Sequence, residues 1–229
     1  MSDHSLHSSA PILLVGGGPA TIEAVQWAFA RAGAVVAADG GYYNAKAAGV
    51  PVQAILGDGD SLDPKDVEGV AFTPSKDQDS TDFEKCLAAV SAPVILAVGF
   101  LGGRLDHQLA AFSAILKDPR PVILMNEVEM AFVLPQQFSC DVALGTPISF
   151  YPLVPLTATT AGVAYPLTNC PMASDGQIST SNTVTGQVQV TTDRRGLLCS
   201  LPRDAFAQVM ASLHPSASSS PPAAPPQSR

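Results

Sequence analysis

Along the first half of the chain, short apolar runs alternate with stretches whose apolar positions recur at helical spacing. "PILLVGGGP" is a run ending in glycines, and "TIEAVQWAFARAG" after it has the periodicity of a helix stopped by a glycine. "AVVAADGG" and "VQAILGD" read as further buried strands, with "YYNAKAAG" between them a short helix closed by Gly49. Past an acidic loop come the strand "VAFTP" and the helix "TDFEKCLAAVSA", in which Thr81 and Glu84 fit the T-x-x-E capping box. "PVILAVG", the helix "LDHQLAAFSAILK" and "PVILMN" complete the series. Strands apolar at nearly every position are buried on both faces. The pattern therefore predicts a mostly parallel sheet covered by helices, an α/β domain over residues 11–126.

The pattern changes near Glu127. Between Val142 and Thr192 the single charged residue is Asp175, while Thr, Ser, Pro and Gly abound. "TPISFYPL", "GQVQVTT" and "GLLCSL" read as strands separated by turn residues, which predicts an all-β sandwich domain over 127–213. Residues 1–10 and the Pro/Ser-rich 214–229 contain too few apolar residues to join a core, and are expected to be flexible and disordered respectively.

Composition narrows the possibilities. No apolar run approaches the roughly 20 residues needed to span a bilayer. The opening "MSDHSLHSSA" lacks the basic and apolar regions of a secretory signal, so a cytoplasmic protein is expected. Cys86, Cys140, Cys170 and Cys199 lie far apart without C-x-x-C spacing, as suits reduced, packed thiols. A net charge of −8 with no basic stripe excludes a nucleic-acid partner. The acids are also concentrated, with ten of the 20 Asp and Glu between Asp39 and Glu84. Such a cluster can face an anionic substrate only with a divalent cation in between.

Ligands of an open parallel sheet bind outside the carboxyl ends of its strands. Three segments bring acids to that edge: Asp39 in "AADGG", Asp58 and Asp60 in "LGDGDS", and Asp77, Asp79 and Asp82 in "KDQDSTDF". Taken singly, Asp39 is an ordinary turn residue, Asp58 and Asp60 belong to a polar turn, and Asp82 is a first-turn acid favoured by the helix dipole. Their convergence is what points to a metal. A fourth segment, "VGFLGGRLDHQLA", offers Gly102 and Gly103 for close backbone approach, Arg104 for phosphate oxygens and the free N–H groups of a helix start. His107 on that helix has the bland reading of a hydrogen-bonded structural histidine. The glycine-rich "VGGGP" lacks G-x-x-x-x-G-K-S/T, which excludes a P-loop NTPase.

Taken in order, "ADGGYYNAKAAGV", "AILGDGDSL", "KDQDSTDFEKCL" and "GFLGGRLDHQLA" resemble the motifs of the thiamine pyrophosphokinase (thiamine diphosphokinase) family. "AGVAYPL" and "ISTSNTVTGQVQVTTDRRGLLCSL" are similar to that family's later β segments. The resemblance implies an α/β domain followed by a β-sandwich, and a homodimer with active sites at the domain and subunit junction. The implied reaction moves the β,γ-pyrophosphoryl unit of ATP to the hydroxyethyl oxygen of thiamine, with Mg²⁺, giving AMP and thiamine diphosphate. By the match, Asp39, Asp58, Asp60 and Asp82 fall on the family's acidic cluster. Asp58, Asp60 and Asp82 are then the expected metal ligands and catalytic acids, with Asp39 on the ATP. Gly102, Gly103, Arg104, Asp106 and His107 fall on the nucleotide loop, and Ser181 and Asn182 on the pair that meets the thiamine pyrimidine.

Two departures stand out. Gly59 replaces the usual phenylalanine of G-D-F-D-S, and Cys199 stands where many members have a tryptophan; the only tryptophan here is Trp27. Two rival functions fit parts of the pattern. A metal-dependent nucleotidyl- or glycosyltransferase also uses a D-x-D loop, but gives no role to Ser181 and Asn182. A catalytically silent nucleotide- or thiamine-binding regulator would not need all the acids.

Overall fold

The structure, a computed structural model, describes residues 6–63, 65–67, 69–74 and 79–214. Asp77 and the Pro-rich 215–229 lie outside these. The first half runs β1 (Leu6–His7), β2 (Ile12–Val15), α1 (Ile22–Phe29), β3 (Ala34–Ala38), α2 (Gly41–Ala47), β4 (Ala54–Gly57), β5 (Ala71–Pro74) and α3 (Asp82–Ala89). It continues through β6 (Val90–Ser91), β7 (Ile95–Val98), α4 (Leu105–Lys117) and β8 (Val122–Met125). The second half adds β9 (Glu129–Val133), β10 (Gln137–Cys140), β11 (Pro147–Pro152), β12 (Leu156–Val163), β13 (Cys170–Met172), β14 (Ser179–Thr192) and β15 (Leu197–Pro202). A 3-10 turn, Arg203–Ala205, leads into α5 (Phe206–Leu213).

One large mixed sheet holds nearly all the strands, in the order β13-β12-β14-β11-β15-β9-β8-β7-β2-β3-β4-β5, with β10 also paired to β14. From β8 to β5 the neighbours are parallel. The pairing turns antiparallel at the hairpin where Asn126 Oδ1 accepts from the N–H groups of Val128 and Glu129. The ladder thus crosses the boundary expected at Glu127 without a break. One core cluster does so too, running from Leu13, Val35 and Leu96 through Phe132 to Phe150 and Val190. On the other face Ile12, Leu14, Val36 and Ile95 pack under Phe83, Cys86, Ala111 and Ile115 of α3 and α4. Alternate strand residues feed opposite faces, which is why "ILLV" has no polar position to spare.

Local chemistry fixes the helices that border the site. Thr81 caps α3 with both halves of the capping box in place. Thr21 caps α1 by accepting from the Ala24 N–H. The chain after α2 turns through Gly49 at φ +68. Residues 6–10, expected to be flexible, are tied down instead: Leu6 packs on the core and Leu6–His7 pair in parallel with Val90–Ser91. Strands β12 and β13 carry small or weakly apolar residues such as "TATTAGV", so their alternation of buried and exposed positions is invisible to a hydropathy reading. Among the described residues no helix is long and apolar enough to cross a membrane.

Candidate active site

The loops after β2, β3, β4 and β7 and the start of α3 surround one cavity of about 870 Å³. Ligand pockets are typically about 300–1,000 Å³. It lies where the strand order reverses, β2 being flanked by β3 on one side and β7 on the other. At this point the backbones of two glycine loops touch: Gly99 has φ +82, and a Cβ there would lie 2.4 Å from the Gly16 carbonyl oxygen. Only glycine meets both demands. The Asn44 amide donates to the carbonyls of Gly16 and Gly18 at 2.7 and 2.9 Å, holding the "VGGGP" loop against α2. That loop, a weak signal in the sequence, is a wall of the cavity; Asn44, Tyr43, Ser61 and Lys85 are wall residues the sequence reading did not single out.

Three carboxylates converge on the cavity. Asp39, Asp58 and Asp82 each bring an oxygen within 4.8 Å of the others. Asp39 is only 4% exposed, at the end of β3. Its backbone is left-handed, φ +43, a conformation Asp tolerates better than most residues. Its Oδ2 accepts from the Ser61 N–H at 3.3 Å, while Oδ1 is buried without a hydrogen-bond partner. Burial raises the Asp39 pKa, and the neighbouring Asp82 adds to the rise while the bonds from Ser61 oppose it. A buried, unpaired carboxylate oxygen costs stability unless a cation or donor meets it. An all-oxygen donor set of this kind fits Mg²⁺, which binds through one or two carboxylates plus substrate phosphates.

Asp60 does not join this trio and is not on the cavity wall. Gly59, in the left-handed region at φ +80, turns the chain between the two acids. The exposed Asp60 carboxylate accepts from the Ser61 hydroxyl at 2.9 Å, and its N–H donates to Asp58 Oδ1 at 3.2 Å. Where Asp58 and Asp60 were expected to share the ion, the geometry gathers Asp39, Asp58 and Asp82 and leaves Asp60 outside the group. Glycine at 59 is explained by the same turn. Asp79 is exposed and likewise outside the trio.

On the opposite wall, Gly102 and Gly103 are both left-handed, at φ +81 and +70, and lead into the N-terminus of α4. Arg104 lines the cavity, but its guanidinium forks onto Asp106, with Nε–Oδ1 3.1 Å and Nη2–Oδ2 2.6 Å. The Arg104 hydrogen bond pulls the Asp106 pKa down to about 2. Asp106 itself is not on the wall, whereas the exposed His107 is.

Ser181 and Asn182 stand apart from the cavity wall. Asn182 is 2% exposed and clamps the Tyr165 backbone: its Oδ1 accepts from the Tyr165 N–H at 3.0 Å and its Nδ2 donates to the Tyr165 carbonyl at 2.9 Å. Oδ1 also accepts from the Thr183 N–H at 2.9 Å. The amide edge expected to read a pyrimidine is therefore occupied within the chain. Ser181 sits on a β-bulge, where the β11–β14 register slips between Ile148 and Phe150, and at φ +58 it is exposed with its N–H on Ser149 Oγ. Cys199 is fully buried between the Phe132 and Phe150 strands, so it cannot offer a stacking surface to a ligand.

Comparison with known proteins agrees with this layout. The family model "Thiamin pyrophosphokinase, catalytic domain" matches residues 25–124, and "Thiamin pyrophosphokinase, vitamin B1 binding domain" matches residues 136–197. Thiamine pyrophosphokinase 3 of Oryza sativa subsp. japonica is 32% identical, over 60% of this chain and 60% of its own. Thiamine pyrophosphokinase 1 of the same plant is 30% identical, over 61% and 62%. The chain thus spans about 60% of the length of the curated relatives it matches. The solved thiamin pyrophosphokinase of Candida albicans shares the fold, with a TM-score of 0.74 at 16% identity, covering 87% of this chain and 93% of that one. That of Geobacillus thermodenitrificans superposes with a TM-score of 0.70 at 25% identity, covering 84% and 96%. With both family segments matched in order and the three converging acids of the cavity inside the first, the chain belongs to the thiamine pyrophosphokinase family.

Proposed function

We propose that the chain transfers the β,γ-pyrophosphoryl unit of ATP to the hydroxyethyl oxygen of thiamine, giving AMP and thiamine diphosphate. The observation that carries the reading is the buried, unpartnered Oδ1 of Asp39 beside Asp58 and Asp82, at the edge of a nucleotide-sized cavity. Magnesium held by these oxygens would neutralise the phosphates and the charge that builds up as the group moves. The N–H groups of Gly103 and Arg104 and the start of α4 would hold phosphate oxygens, the Gly102 N–H being held by Gln108 Oε1 at 2.9 Å, and Arg104 would exchange Asp106 for them. As the thiamine oxygen bonds to the β-phosphorus, the bridge to the α-phosphate breaks and AMP leaves with that bridging oxygen. A carboxylate of the pocket accepts the hydroxyl proton.

In this reading residues 11–126 bind nucleotide and metal, and 127–213 supply thiamine contacts and dimerisation. Ser181, exposed on its bulge, is the direct contact, while Asn182 fixes the segment through Tyr165. Because neither lines the cavity of its own chain, a second copy would bring its β segment to this pocket. Exposed Leu144 and Tyr165 near that segment supply apolar surface for such a contact. The test is incubation with ATP, Mg²⁺ and thiamine, following AMP and thiamine diphosphate by chromatography. Equal formation of both, dependent on Mg²⁺, is expected. Neither a nucleotidyl- or glycosyltransferase nor a silent binding protein would yield thiamine diphosphate.

A further inference from the structure

A glycine populates left-handed and right-handed backbone about equally, so a glycine pair does not choose its own conformation. Gly102 and Gly103, at φ +81 and +70, line the cavity and lead into α4. Gly103 is packed: a Cβ there would lie 2.8 Å from the Pro19 Cδ. Beside Gly102 the space is open, since an added Cβ would meet nothing within 4 Å. Gly102 is held instead by Gln108, whose Oε1 accepts from its N–H at 2.9 Å. Gln108 stands one turn into α4, where its own N–H donates to the Arg104 carbonyl at 3.2 Å. Arg104, the N-cap, makes no side-chain capping bond. The glutamine thus resembles the third residue of a capping box, reaching back across the helix start to a backbone N–H. It is half-buried and off the cavity wall, whereas Gly102, Gly103 and Arg104 are on it.

We propose that Gln108 is a positioning residue for the nucleotide: by bonding the Gly102 N–H it fixes the left-handed pair in the shape that sets the Gly103 and Arg104 N–H groups for phosphate oxygens. The inference rests on the reading of this loop as the phosphate-holding part of an ATP site. Gln108 touches no substrate; it acts through two glycines whose freedom it removes before binding. A loop without that bond would have to be ordered when the nucleotide arrives. The ordering cost weakens binding without slowing the step that follows. The bond also withdraws the Gly102 N–H as a phosphate donor, so the loop gives up one donor and gains a fixed pair. A neutral amide suits the place, because it accepts a hydrogen bond without setting a full negative charge beside the phosphates.

Gln108→Met keeps the side chain's length and helix preference and removes the accepting carbonyl. Calorimetric titration with a nonhydrolysable ATP analogue and Mg²⁺, without thiamine, should show its dissociation constant raised about threefold to tenfold, the scale of one hydrogen bond. In steady-state assays the Michaelis constant for ATP should rise alike, with turnover and the constant for thiamine within about twofold of wild type. Exchange of the Gly102 amide hydrogen, read by NMR, should quicken about tenfold in Gln108→Met. It should stay within about threefold of wild type in Gln108→Glu, which keeps an oxygen at the same reach. A glutamine that merely steadies α4 would lower the melting temperature and leave analogue binding unchanged, and that result overturns the proposal. So does a fall in turnover as large as the rise in the ATP constant, or a wild type that binds no analogue. Gln108→Ala, read the same way, stands in if the methionine variant fails to fold by circular dichroism. If wild type binds the analogue but makes no thiamine diphosphate, the proposed function fails, and weaker analogue binding by Gln108→Met still upholds the role of the glutamine.

Discussion

Two regions of the molecule carry the residues expected to meet substrates, and they use polar side chains in opposite ways. At the carboxyl edge of the parallel strands, Asp39 keeps a buried oxygen without a partner and Asp58 is exposed. In the bulged start of β14, Asn182 is as deeply buried, yet every polar atom of its amide is engaged with its own chain. The first arrangement sacrifices stability and leaves capacity for a ligand; the second converts the same kind of burial into local structure. A functional carboxylate and a structural amide are thus told apart by what remains unsatisfied, not by depth.

This contrast can be broken most sharply at the acids. Asp58→Asn or Asp82→Asn should lower turnover by at least about two orders of magnitude, because weaker cation binding removes neutralisation at the transition state. Asp60→Asn, whose carboxylate serves Ser61, should cost less than about tenfold in turnover. Steady-state assays of thiamine diphosphate formation check both. An Asp60 effect as large as that of Asp58 would restore the D-x-D pair and dissolve the trio.

Next in size is the β14 amide. Asn182→Ala should lower unfolding free energy by about 2 kcal/mol, since it removes a buried amide that makes two hydrogen bonds to the Tyr165 backbone and one to Thr183. Urea titration should show Asp58→Asn within about 0.5 kcal/mol of wild type, as for other exposed residues. If Asn182→Ala left stability untouched and raised only the thiamine Michaelis constant, the amide would be a substrate contact after all.

A smaller effect of opposite sign is expected at Asp39. In the presence of a chelator, Asp39→Asn should stabilise the protein by about 1 kcal/mol, because a buried, unneutralised charge is removed while Asn still tolerates the left-handed backbone. Thermal melts with and without Mg²⁺ test this, since added Mg²⁺ should stabilise wild type and not the variant.

The smallest effect concerns Glu84, which ties the capping box to α4. The Lys117 hydrogen bond, joined by the Thr81 N–H, lowers its folded pKa. Its contribution is therefore present above the unfolded pKa and is lost as pH falls through the folded value. Glu84→Gln should cost about 0.5 kcal/mol at pH 7. Against wild type, the difference should shrink in paired urea titrations as pH falls through the lowered folded pKa of Glu84.

Most of the parallel half was legible in the sequence because its central strands are apolar at nearly every position and its helices carry explicit stop and start residues, such as Thr81 with Glu84 and Gly49. The trio was legible only as a set of candidates. Which acid of Asp58-Gly59-Asp60 faces the cavity depends on the left-handed turn at Gly59, and the participation of Asp39 depends on its own φ of +43. Neither torsion is written in hydropathy. In the antiparallel half, β12 escaped notice because its Thr and Ala alternate in burial and hardly in polarity, and β13 because it is only the three residues "CPM". Asn182 was recognised by motif, but its partner Tyr165 lies 17 residues away in the chain, across a strand pair that only the fold creates.

The most direct test of the account is Mn²⁺ affinity, measured by electron paramagnetic resonance with a nonhydrolysable ATP analogue present, across Asp39→Asn, Asp58→Asn, Asp60→Asn and Asp82→Asn. The trio predicts losses of about tenfold or more at Asp39, Asp58 and Asp82, and less than about threefold at Asp60. A loss at Asp60 equal to that at Asp58, with Asp39→Asn binding like wild type, would contradict it.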